Sequence, residues 1–326
     1  MLKYTNVRMR SGGSPMSCIC VIGGANIDIC GSSIGPLRSF DSNPGMISVS
    51  YGGVGRNIAQ ICALLRKNTR FVTCFSSDSY GQMMKADCEM LGMDTSGSVT
   101  IEGLPSSMYI AILDHNRDMK VGMSDMRILR CMDSAMLEPV LKSLNSDDII
   151  IIDANLDMSC IQYVLANAPC HVAADPVSTS KAGRLRNVLG QLSIFKPNQF
   201  EAKELTGISI ENEEDARRSL DWFLQAGVQE VIISMAERGL LLGTEHEKLW
   251  LTHRRISLEN ATGGGDTLLG AYVAARLEHQ SPDQAIRYGI SASVTAIEQD
   301  AVKRRSLSPE MIEKSLDTMD IKEKKL

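Results

Sequence analysis

The sequence has no apolar run near the roughly 20 residues that cross a bilayer, and its first residues lack the apolar core of a signal peptide. It also has no long block of like charge. The net charge of its 326 residues is -5, and the charged cluster that closes the chain, KEKK at 322–325, is short and contains both signs. These absences argue against a membrane or a nucleic acid as the main partner. They predict a cytoplasmic protein that ends in a solvated, charged tail at 321–326.

Histidine is scarce, with five residues scattered along the chain, so a metal site or a nucleophile built on histidine is not supported. Most of the nine cysteines lie inside apolar runs, as Cys18, Cys20 and Cys74 do, which predicts reduced thiols in the core. Cys18 and Cys20 would share one face of a strand, but no second cysteine pair or histidine lies near them in the sequence. A zinc site is therefore disfavoured.

Short, continuous apolar runs are the clearest structural signal. Runs without alternation are typical of strands buried on both faces in a parallel sheet covered by helices, and they lie at 19–22, 149–152, 171–174, 194–195 and 231–233. Most of them lead directly into polar residues, namely Asp153, Asp175, Lys196 and Ser234. Because ligands of open α/β sheets bind beyond the carboxyl ends of the strands, these polar ends outline one site.

Two further segments, 46–51 and 108–113, alternate in polarity, and the second is followed by a polar turn and another strand-like stretch. This pattern indicates half-exposed antiparallel strands, which we interpret as a small β-sheet lid formed by about 34–51 and 105–125. Apolar spacing and capping residues predict helices at 58–65, 212–225, 267–277 and 282–298. The chain is thus expected to be α/β, with a flexible leader at 1–16 and a single domain at 17–320.

Three glycines, Gly263, Gly264 and Gly265, stand directly before Asp266 and a helix-forming run. Their backbone N–H groups can face an anion at the start of a helix, and the transition state of phosphoryl transfer spreads its charge over such oxygens. Asp266 is placed to accept the proton of a hydroxyl group, but aspartate is also a favoured helix N-cap. The local sequence leaves both interpretations open. The P-loop pattern Gly-x-x-x-x-Gly-Lys-[Ser/Thr] does not occur.

A second glycine cluster lies at 52–58. Gly52 and Gly53 permit close approach of the backbone to a ligand, and Asn57 is suited to hydrogen-bond a diol, although a tight strand-to-helix turn explains the same residues. Ile58 stands where a dinucleotide-binding fingerprint needs its third glycine. A Rossmann oxidoreductase is therefore a weak rival.

Two polar pairs suit the same chemistry. Asn26 and Asp28 follow the first strand and suit sugar hydroxyls, but Asn-x-Asp also forms ordinary turns. Asn198 and Glu201 open a helix with the oxygen ligands that magnesium prefers, usually through water, but Asn-x-x-Glu is also a capping pattern. Each pair is ambiguous alone, and the order of the motifs along the chain decides between the alternatives.

From about residue 18 to about residue 298 the chain resembles the PfkB/ribokinase family of carbohydrate and nucleoside kinases. The resemblance rests on the segments at 23–28, 52–59, 196–201 and 261–267. It implies a ribokinase-like three-layer α/β sandwich with a mainly parallel central sheet and a small β-sheet lid. It also implies ATP and Mg²⁺ as cofactors, and transfer of the γ-phosphate of ATP onto a ribosyl hydroxyl.

The resemblance implies a role for each matching residue. Asp266 matches the catalytic base, and Gly263, Gly264 and Gly265 match the anion hole. The other matching residues form three groups: a sugar site of Asn26, Asp28, Gly52, Gly53 and Asn57; a nucleotide side of Asn198, Ser234, Gly239, Thr262, Gly263 and Gly265; and a magnesium motif of Asn198 and Glu201, acting through water or phosphate.

Four shorter stretches are most similar to family members that phosphorylate pseudouridine, and they lie at 41–45, 52–60, 124–126 and 175–178. They imply the 5′-hydroxyl of this nucleoside as acceptor, with Asn43, Ser124 and Asp125 on the lid near the base. A uracil joined through carbon exposes an extra ring N–H, which one of these residues would accept. The alternatives are ribose, a hexose, adenosine or a pyrimidine nucleoside as acceptor, and a nucleoside-binding sensor that kept the fold without catalysis.

Cation dependence and oligomeric state are the least determined properties. Gly264 stands where the family has alanine, a change that keeps the backbone N–H. Asn260 stands where aspartate is common in the loop of a monovalent cation, so activation by potassium is left open. The predicted lid edge carries Met46, Val49 and Met108. Because edge strands can pair with another chain, a homodimer through the lid is a further hypothesis.

Overall fold

A computed structural model describes residues 17–253, 263–299 and 303–326. Within these ranges the strands are β1 (Cys18–Ile22), β2 (Asn26–Ser33), β3 (Gly45–Gly52), β4 (Asn68–Val72), β5 (Cys74–Ser76), β6 (Val99–Ile101), β7 (Met108–Leu113), β8 (Met119–Asp125), β9 (Ile149–Asp153), β10 (His171–Asp175), β11 (Ile194–Phe195), β12 (Glu230–Ser234), β13 (Leu240–Gly243), β14 (Lys248–Thr252) and β15 (Lys322–Lys325). The helices are α1 (Val54–Leu64), α2 (Ser79–Met90), α3 (Ser134–Lys142), α4 (Met158–Asn167), α5 (Thr179–Ala182), α6 (Gln199–Thr206), α7 (Glu213–Gln225), α8 (Gly264–Leu277), α9 (Pro282–Ile297) and α10 (Pro309–Thr318). The leader expected at 1–16 lies outside the described residues.

The central sheet has nine strands in the order β15-β14-β13-β12-β11-β10-β9-β1-β4. The strands from β12 to β4 in this order run parallel, and β13, β14 and β15 are added antiparallel. The five continuous apolar runs are the inner parallel strands β1, β9, β10, β11 and β12. Both faces of these strands are covered, which is why their sequences do not alternate.

Alternate side chains of each inner strand divide between two core layers. Ile19 and Val21 of β1 lie in one layer with residues of α1, α8 and α9, whereas Cys20 and Ile22 lie in the other with residues of α4, α6 and α7. The period of two along a strand produces this division. The fold is the three-layer α/β sandwich that the sequence predicts.

A separate four-stranded sheet, with the order β3-β2-β7-β8, forms the predicted lid. The β2–β3 and β7–β8 pairs are antiparallel, and β2 and β7 run parallel. The predicted bounds, 34–51 and 105–125, left out β2, which is an inner strand of this sheet. The second half of β2 reads Cys30-Gly31-Ser32-Ser33, so it lacks the apolar alternation by which a strand is recognised.

The charged segment at the end of the chain is a paired β-strand rather than a free tail, and its side chains are solvated as expected. β15 pairs with β14 in antiparallel register, and the backbone N–H of Leu326 donates to the carbonyl of Lys248 (2.9 Å). All four side chains of β15 are exposed. Backbone pairing needs no apolar side chains, so a charge pattern cannot reveal such a strand, and charged side chains protect a sheet edge from further pairing.

Within the described residues no helix is both long enough and apolar enough to cross a membrane. The nine cysteines are free thiols, as predicted, and most of them are buried. Burial raises the pKa of Cys18, Cys62 and Cys74 to about 12. These thiols therefore stay protonated and act as apolar core residues.

Candidate active site

The glycine loop ends at the start of α8 and places Asp266 on the first turn of that helix. Gly263 is the N-cap residue, with a left-handed φ of 84° that favours glycine. Asp266 is the third residue of α8 and does not cap it, so the capping interpretation of Asp266 is wrong. A Cβ on Gly264 would lie 2.6 Å from Cδ1 of Ile297, so an alanine here would require the end of that side chain to move. Thr262 and Asn260 lie outside the described residues.

The carboxylate of Asp266 is held by a residue of the second glycine motif. Nδ2 of Asn57, on α1, donates to Oδ2 of Asp266 at 2.9 Å. The backbone N–H of Asn57 donates to the carbonyl of Gly53 (2.8 Å), which fixes the turn that opens α1. The two glycine motifs, far apart in sequence, thus meet at the predicted base.

The surroundings of Asp266 make it a stronger base than an ordinary aspartate. Burial, followed by the charge of Asp175, raises its pKa to about 7, although the hydrogen bond from Asn57 and the charge of Lys196 act in the opposite direction. The side chain is half-buried. A carboxylate with a pKa near neutral pH combines substantial basicity with a large ionised fraction, which suits general-base catalysis.

A buried ion pair lies beside the glycine loop. Nζ of Lys196, at the end of β11, is 3.0 Å from Oδ2 of Asp175, at the end of β10, and both side chains are almost fully buried. A Cβ on Gly265 would lie 3.3 Å from this Nζ, so the ammonium group lies against the backbone of the anion hole. Lys196 therefore adds a positive charge where the predicted hole would receive a phosphoryl group.

On the lid side, the predicted sugar ligands Asn26 and Asp28 begin β2 and lie together. Nδ2 of Asn26 donates to Oδ1 of Asp28. Burial raises the pKa of Asp28 to about 6, with the hydrogen bond from Asn26 and the charge of Arg56 opposing this shift. A Cβ on Gly52 would lie 2.0 Å from Oδ2 of Asp28, so only glycine leaves room for this carboxylate against β3.

The lid residues that were expected near a base are not equivalent. Residues paired across a sheet share one face, and Asp28 is paired with Tyr109, which is paired with Ser124. Ser124 therefore faces the same side as Asp28. Asp125, the next residue along β8, faces the other side and forms an ion pair with Arg127 (2.7 Å), which holds the pKa of Asp125 below its usual range.

Asn43 is engaged within its own loop between β2 and β3. Its Oδ1 accepts a hydrogen bond from the backbone N–H of Arg38 (2.7 Å), and its Nδ2 donates to the carbonyls of Arg38 and Asp41 (both 3.0 Å). These bonds use the polar atoms of Asn43 to shape the loop. The structure does not bring Asn43 into contact with Asn26 or Asp28.

Asn198 and Glu201 form a capping box at the start of α6. Oδ1 of Asn198 accepts from the backbone N–H groups of Phe200 (2.8 Å) and Glu201 (3.0 Å), and Oε2 of Glu201 accepts from the N–H of Asn198 (2.7 Å). Burial and the charge of Asp175 raise the pKa of Glu201. The residues that the structure describes contain no group of three His, Cys, Asp or Glu side chains that could hold a metal ion. This donor set fits magnesium held through water and phosphate and does not form an all-protein cage.

A cavity of about 530 Å³ lies beside the first turn of α8, which is within the usual range of small-molecule sites. Its walls combine apolar side chains, among them Leu268 and Val294, with polar and glycine positions. It gathers the predicted nucleotide residues that the structure describes, other than Gly263: Asn198, Ser234, Gly239 and Gly265. The cavity reaches the anion hole and has room for a nucleotide.

A family model for the pfkB family of carbohydrate kinases matches residues 16–307. The chain belongs to this family, and it is therefore a phosphotransferase whose acceptor is a hydroxyl group of a small sugar or nucleoside. The resemblance predicted from the motifs is confirmed.

Individual relatives agree with this assignment. Over 292 residues the sequence is 30% identical to the pseudouridine kinase of Escherichia coli (strain K12), covering 89% of this chain and 93% of the relative. The fold is similar to that of ribokinase from Thermotoga maritima, with a TM-score of 0.79, 21% identity and coverage of 93% of this chain and 99% of the relative. It is also similar to an E. coli protein assigned as ribokinase II and solved with ATP and Mg²⁺, with a TM-score of 0.78, 17% identity and coverage of 93% and 99%.

The sequence placed Asp153, Asp175 and Lys196 at the strand ends that outline the site, but it gave none of them an individual role. A signal for the ion pair was present. A charge that directly follows a continuous apolar strand is costly to bury without a partner. Opposite charges at the ends of consecutive strands, as at Asp175 and Lys196, therefore indicate a pair.

Proposed function

We propose that this chain is an ATP-dependent kinase that phosphorylates the 5′-hydroxyl of pseudouridine, with Asp266 as general base. The observation that carries the proposal is the position of the Asp266 carboxylate. Asn57 holds it at 2.9 Å, on the helix turn that follows the glycine loop, beside a nucleotide-sized cavity. The similarity to the E. coli pseudouridine kinase supports the choice of acceptor.

In the proposed reaction each part of the site has one task. Asn26 and Asp28 bind hydroxyls of the ribose, and Asn57 orients the carboxylate of Asp266. The 5′-oxygen forms a bond to the γ-phosphorus of ATP, while the bond from that phosphorus to the β-phosphate oxygen breaks. Asp266 takes the proton that the 5′-hydroxyl loses. The backbone N–H groups of the glycine loop and the ammonium group of Lys196 stabilise the charge on the moving phosphoryl group. ATP supplies that group. Asn198 and Glu201 would hold Mg²⁺ through water or phosphate, and the ion would neutralise charge on the phosphates.

Among the lid residues, we assign Ser124 to recognition of the base. It faces the same side of the lid as Asp28 and lies two strands away, a distance of about 10 Å across the sheet. This separation is comparable with the length of a nucleoside, so a ribose at Asp28 brings its base towards Ser124. The hydroxyl of Ser124 can accept the extra ring N–H that distinguishes pseudouridine from uridine.

The purified protein, assayed for ADP release with pseudouridine, uridine, adenosine, ribose and fructose, tests the proposal. We expect the highest kcat/KM with pseudouridine, at least about tenfold above that with uridine, because one well-placed hydrogen bond discriminates by this order. Strong turnover of ribose with none of pseudouridine would remove the nucleoside assignment and keep the kinase. Absence of turnover with every acceptor would favour a sensor.

A homodimer through the lid is proposed on the face opposite Asp28. Paired residues form an apolar row across the four strands there, from Val49 through Ile29 and Ile110 to Met123, and Val49 and Met123 are 52% and 67% exposed. Exposed apolar surface of this kind marks an interaction site. Met108, expected at the lid edge, lies instead on the inner strand β7 and packs against the core.

A further inference from the structure

Asp153 is a buried carboxylate that has no part in the reaction described above. Asp153 is the last residue of β9, next to β1 in the central sheet, and it is 1% exposed. Its Oδ2 accepts two hydrogen bonds, from the backbone N–H of Gly24 and from that of Gly55 (both 2.8 Å). Its Oδ1 accepts from the N–H of Asn155 (2.9 Å).

The two glycines bound by Asp153 belong to two of the four places where the chain crosses between the body and the lid, namely the crossings on either side of β2 and β3. Gly24 lies between β1 of the body and β2 of the lid, and Gly55 lies on the first turn of α1, just after β3 of the lid. One oxygen atom of the body therefore binds both the outgoing and the returning backbone. The crossings are also bonded to each other, since the N–H of Arg56 donates to the carbonyl of Gly24 (3.0 Å).

The fit around this carboxylate is too close for larger residues. A Cβ on Gly23 would lie 2.5 Å from Oδ2 of Asp153, and a Cβ on Gly55 would lie 2.9 Å from Cα of Gly23. A Cβ on Gly53 would lie 2.5 Å from the carbonyl oxygen of Gly24. The glycines of both motifs thus allow the two crossings to approach each other and Asp153.

We propose that Asp153 is a positioning residue that fixes the crossings on either side of β2 and β3 to the body, and through them aligns the acceptor site with the base. Asn26 and Asp28 follow the first crossing within four residues of Gly24, and Asn57, which holds Asp266, follows the second within two residues of Gly55. This inference rests on the proposed acceptor site. The hydrogen bonds from Gly24 and Gly55 to Asp153 are called the clamp. Loss of the clamp displaces the acceptor hydroxyl relative to Asp266 and leaves the nucleotide cavity, which other elements line, in place.

The test compares Asp153→Ala with a matched control, Asp148→Ala. Alanine is used because asparagine keeps a carbonyl oxygen that can still accept both glycine N–H groups, which are bound to the one oxygen Oδ2. Asp148 precedes the same strand, is 2% exposed, and accepts backbone N–H bonds from Cys18 and Asn145 (both 2.7 Å). It binds the opposite end of β1, away from the site. Either variant leaves buried backbone N–H groups without their acceptor, so both should lose stability to a similar extent.

The kinetic outcomes of the two variants should differ. For Asp153→Ala we expect kcat/KM for the acceptor to fall about 10- to 100-fold, since small misplacement of reacting groups has effects of this size, while KM for ATP stays within about twofold. For Asp148→Ala both constants should stay within about twofold. The assays are run at a pH well above 7, where Asp266 is ionised. If the two variants show equal loss of stability and equal, near-normal kinetics, Asp153 is only a structural residue and the proposal is wrong.

Amide hydrogen exchange of the unmodified protein gives a second, independent test. The amides of Gly24 and Gly55 should be protected to a similar degree, because both are bound to one buried oxygen. In Asp153→Ala, exchange should accelerate at both glycines and in β2 and β3. Rapid exchange of either glycine in the folded unmodified protein would overturn the clamp even if the variant fails to fold.

The two proposals fail in different ways. The kinetic comparison uses whichever acceptor the unmodified protein turns over, so a wrong nucleoside assignment leaves it intact. If no acceptor is turned over, the proposed function fails and the exchange measurement still decides the role of Asp153.

Discussion

Asn57 and Asp266, separated by 209 residues in the sequence, are joined by a hydrogen bond of 2.9 Å between the side-chain amide of one and the carboxylate of the other. Asn57 belongs to the helix that follows the lid, and Asp266 belongs to the helix that follows the glycine loop. The contact therefore connects the sugar side of the site to the phosphate side. It fixes the carboxylate of Asp266, which in the proposed reaction lies where the sugar hydroxyl meets the phosphoryl group.

Replacement of Asp266 by asparagine should reduce kcat by about 10²- to 10⁴-fold, the usual contribution of a general base, and leave the Kd for ATP nearly unchanged. Because the pKa of Asp266 in the fold lies above its ordinary value of 3.8, ionisation between these two values destabilises the protein. The variant should therefore be at least as stable as the unmodified protein above pH 7 in thermal unfolding. Near-normal turnover would show that Asp266 is not the base.

The dependence of kcat/KM on pH should report the same residue. Only the ionised carboxylate can accept a proton, so activity should rise with pH and reach half its plateau near pH 7, where Asp266 titrates. Asn57→Ala removes a hydrogen bond that lowers this pKa, and the midpoint should move upward by about 0.5 to 1 unit. An unchanged midpoint in Asn57→Ala, measured with saturating ATP, would show that a group other than Asp266 causes the rise of activity with pH.

Lys196→Met removes the charge of the lysine and keeps a side chain of similar volume. The variant leaves Asp175 buried without its partner, and breaking such a pair costs about 3–5 kcal/mol of stability. The double variant Lys196→Met/Asp175→Asn should recover much of this loss, since neither charge remains. Turnover should nevertheless stay at least about 100-fold reduced, because the positive charge beside the anion hole is absent. Recovery of both stability and turnover in the double variant would assign the pair a structural role alone.

Gly52→Ala tests the space that the Asp28 carboxylate occupies. A Cβ at this position would lie 2.0 Å from Oδ2 of Asp28, so the carboxylate must move, and KM for the acceptor should rise about tenfold with little change in KM for ATP. Gly183→Ala is the matched control, since a Cβ there meets no atom within 4 Å. An unchanged acceptor KM in Gly52→Ala would place the sugar away from Asp28.

The apolar row on the lid predicts a dimer that a charge can break. In light scattering at micromolar concentration we expect the unmodified protein to have twice the mass of one chain, and Val49→Asp with Met123→Lys to be monomeric. Glu237→Lys, at an exposed position on the body, serves as the control and should not change the mass. A monomer for the unmodified protein would contradict the lid interface.

Much of the fold follows from the sequence because a strand that is buried on both faces has a continuous apolar sequence. The runs at β1, β9, β10, β11 and β12 are continuous and apolar, and each is a strand of the sheet. The second half of β2 and the whole of β15 could not be recognised, because backbone pairing there is not accompanied by a row of apolar side chains. A strand without such a row has no polarity pattern to detect.

The site was predictable in part for a similar reason. Glycines mark positions where the backbone must approach closely, so both motifs were visible, and Asp266 stood directly after one of them. The partners of Asp266 were not visible, because a hydrogen bond to Asn57 and a charge from Lys196 depend on which strand ends meet in space. The faces of Ser124 and Asp125 likewise depend on the register of the lid, which the sequence alone did not determine.

The proposed sugar carboxylate and the proposed base belong to different parts of the fold. Asp28 lies on a strand of the lid, and Asp266 lies on a helix of the body. In the proposed reaction a nucleotide bound beside α8 meets a hydroxyl group in line only when a sugar is held at Asp28. We therefore expect the division of the site between lid and body to limit wasteful hydrolysis of ATP by water.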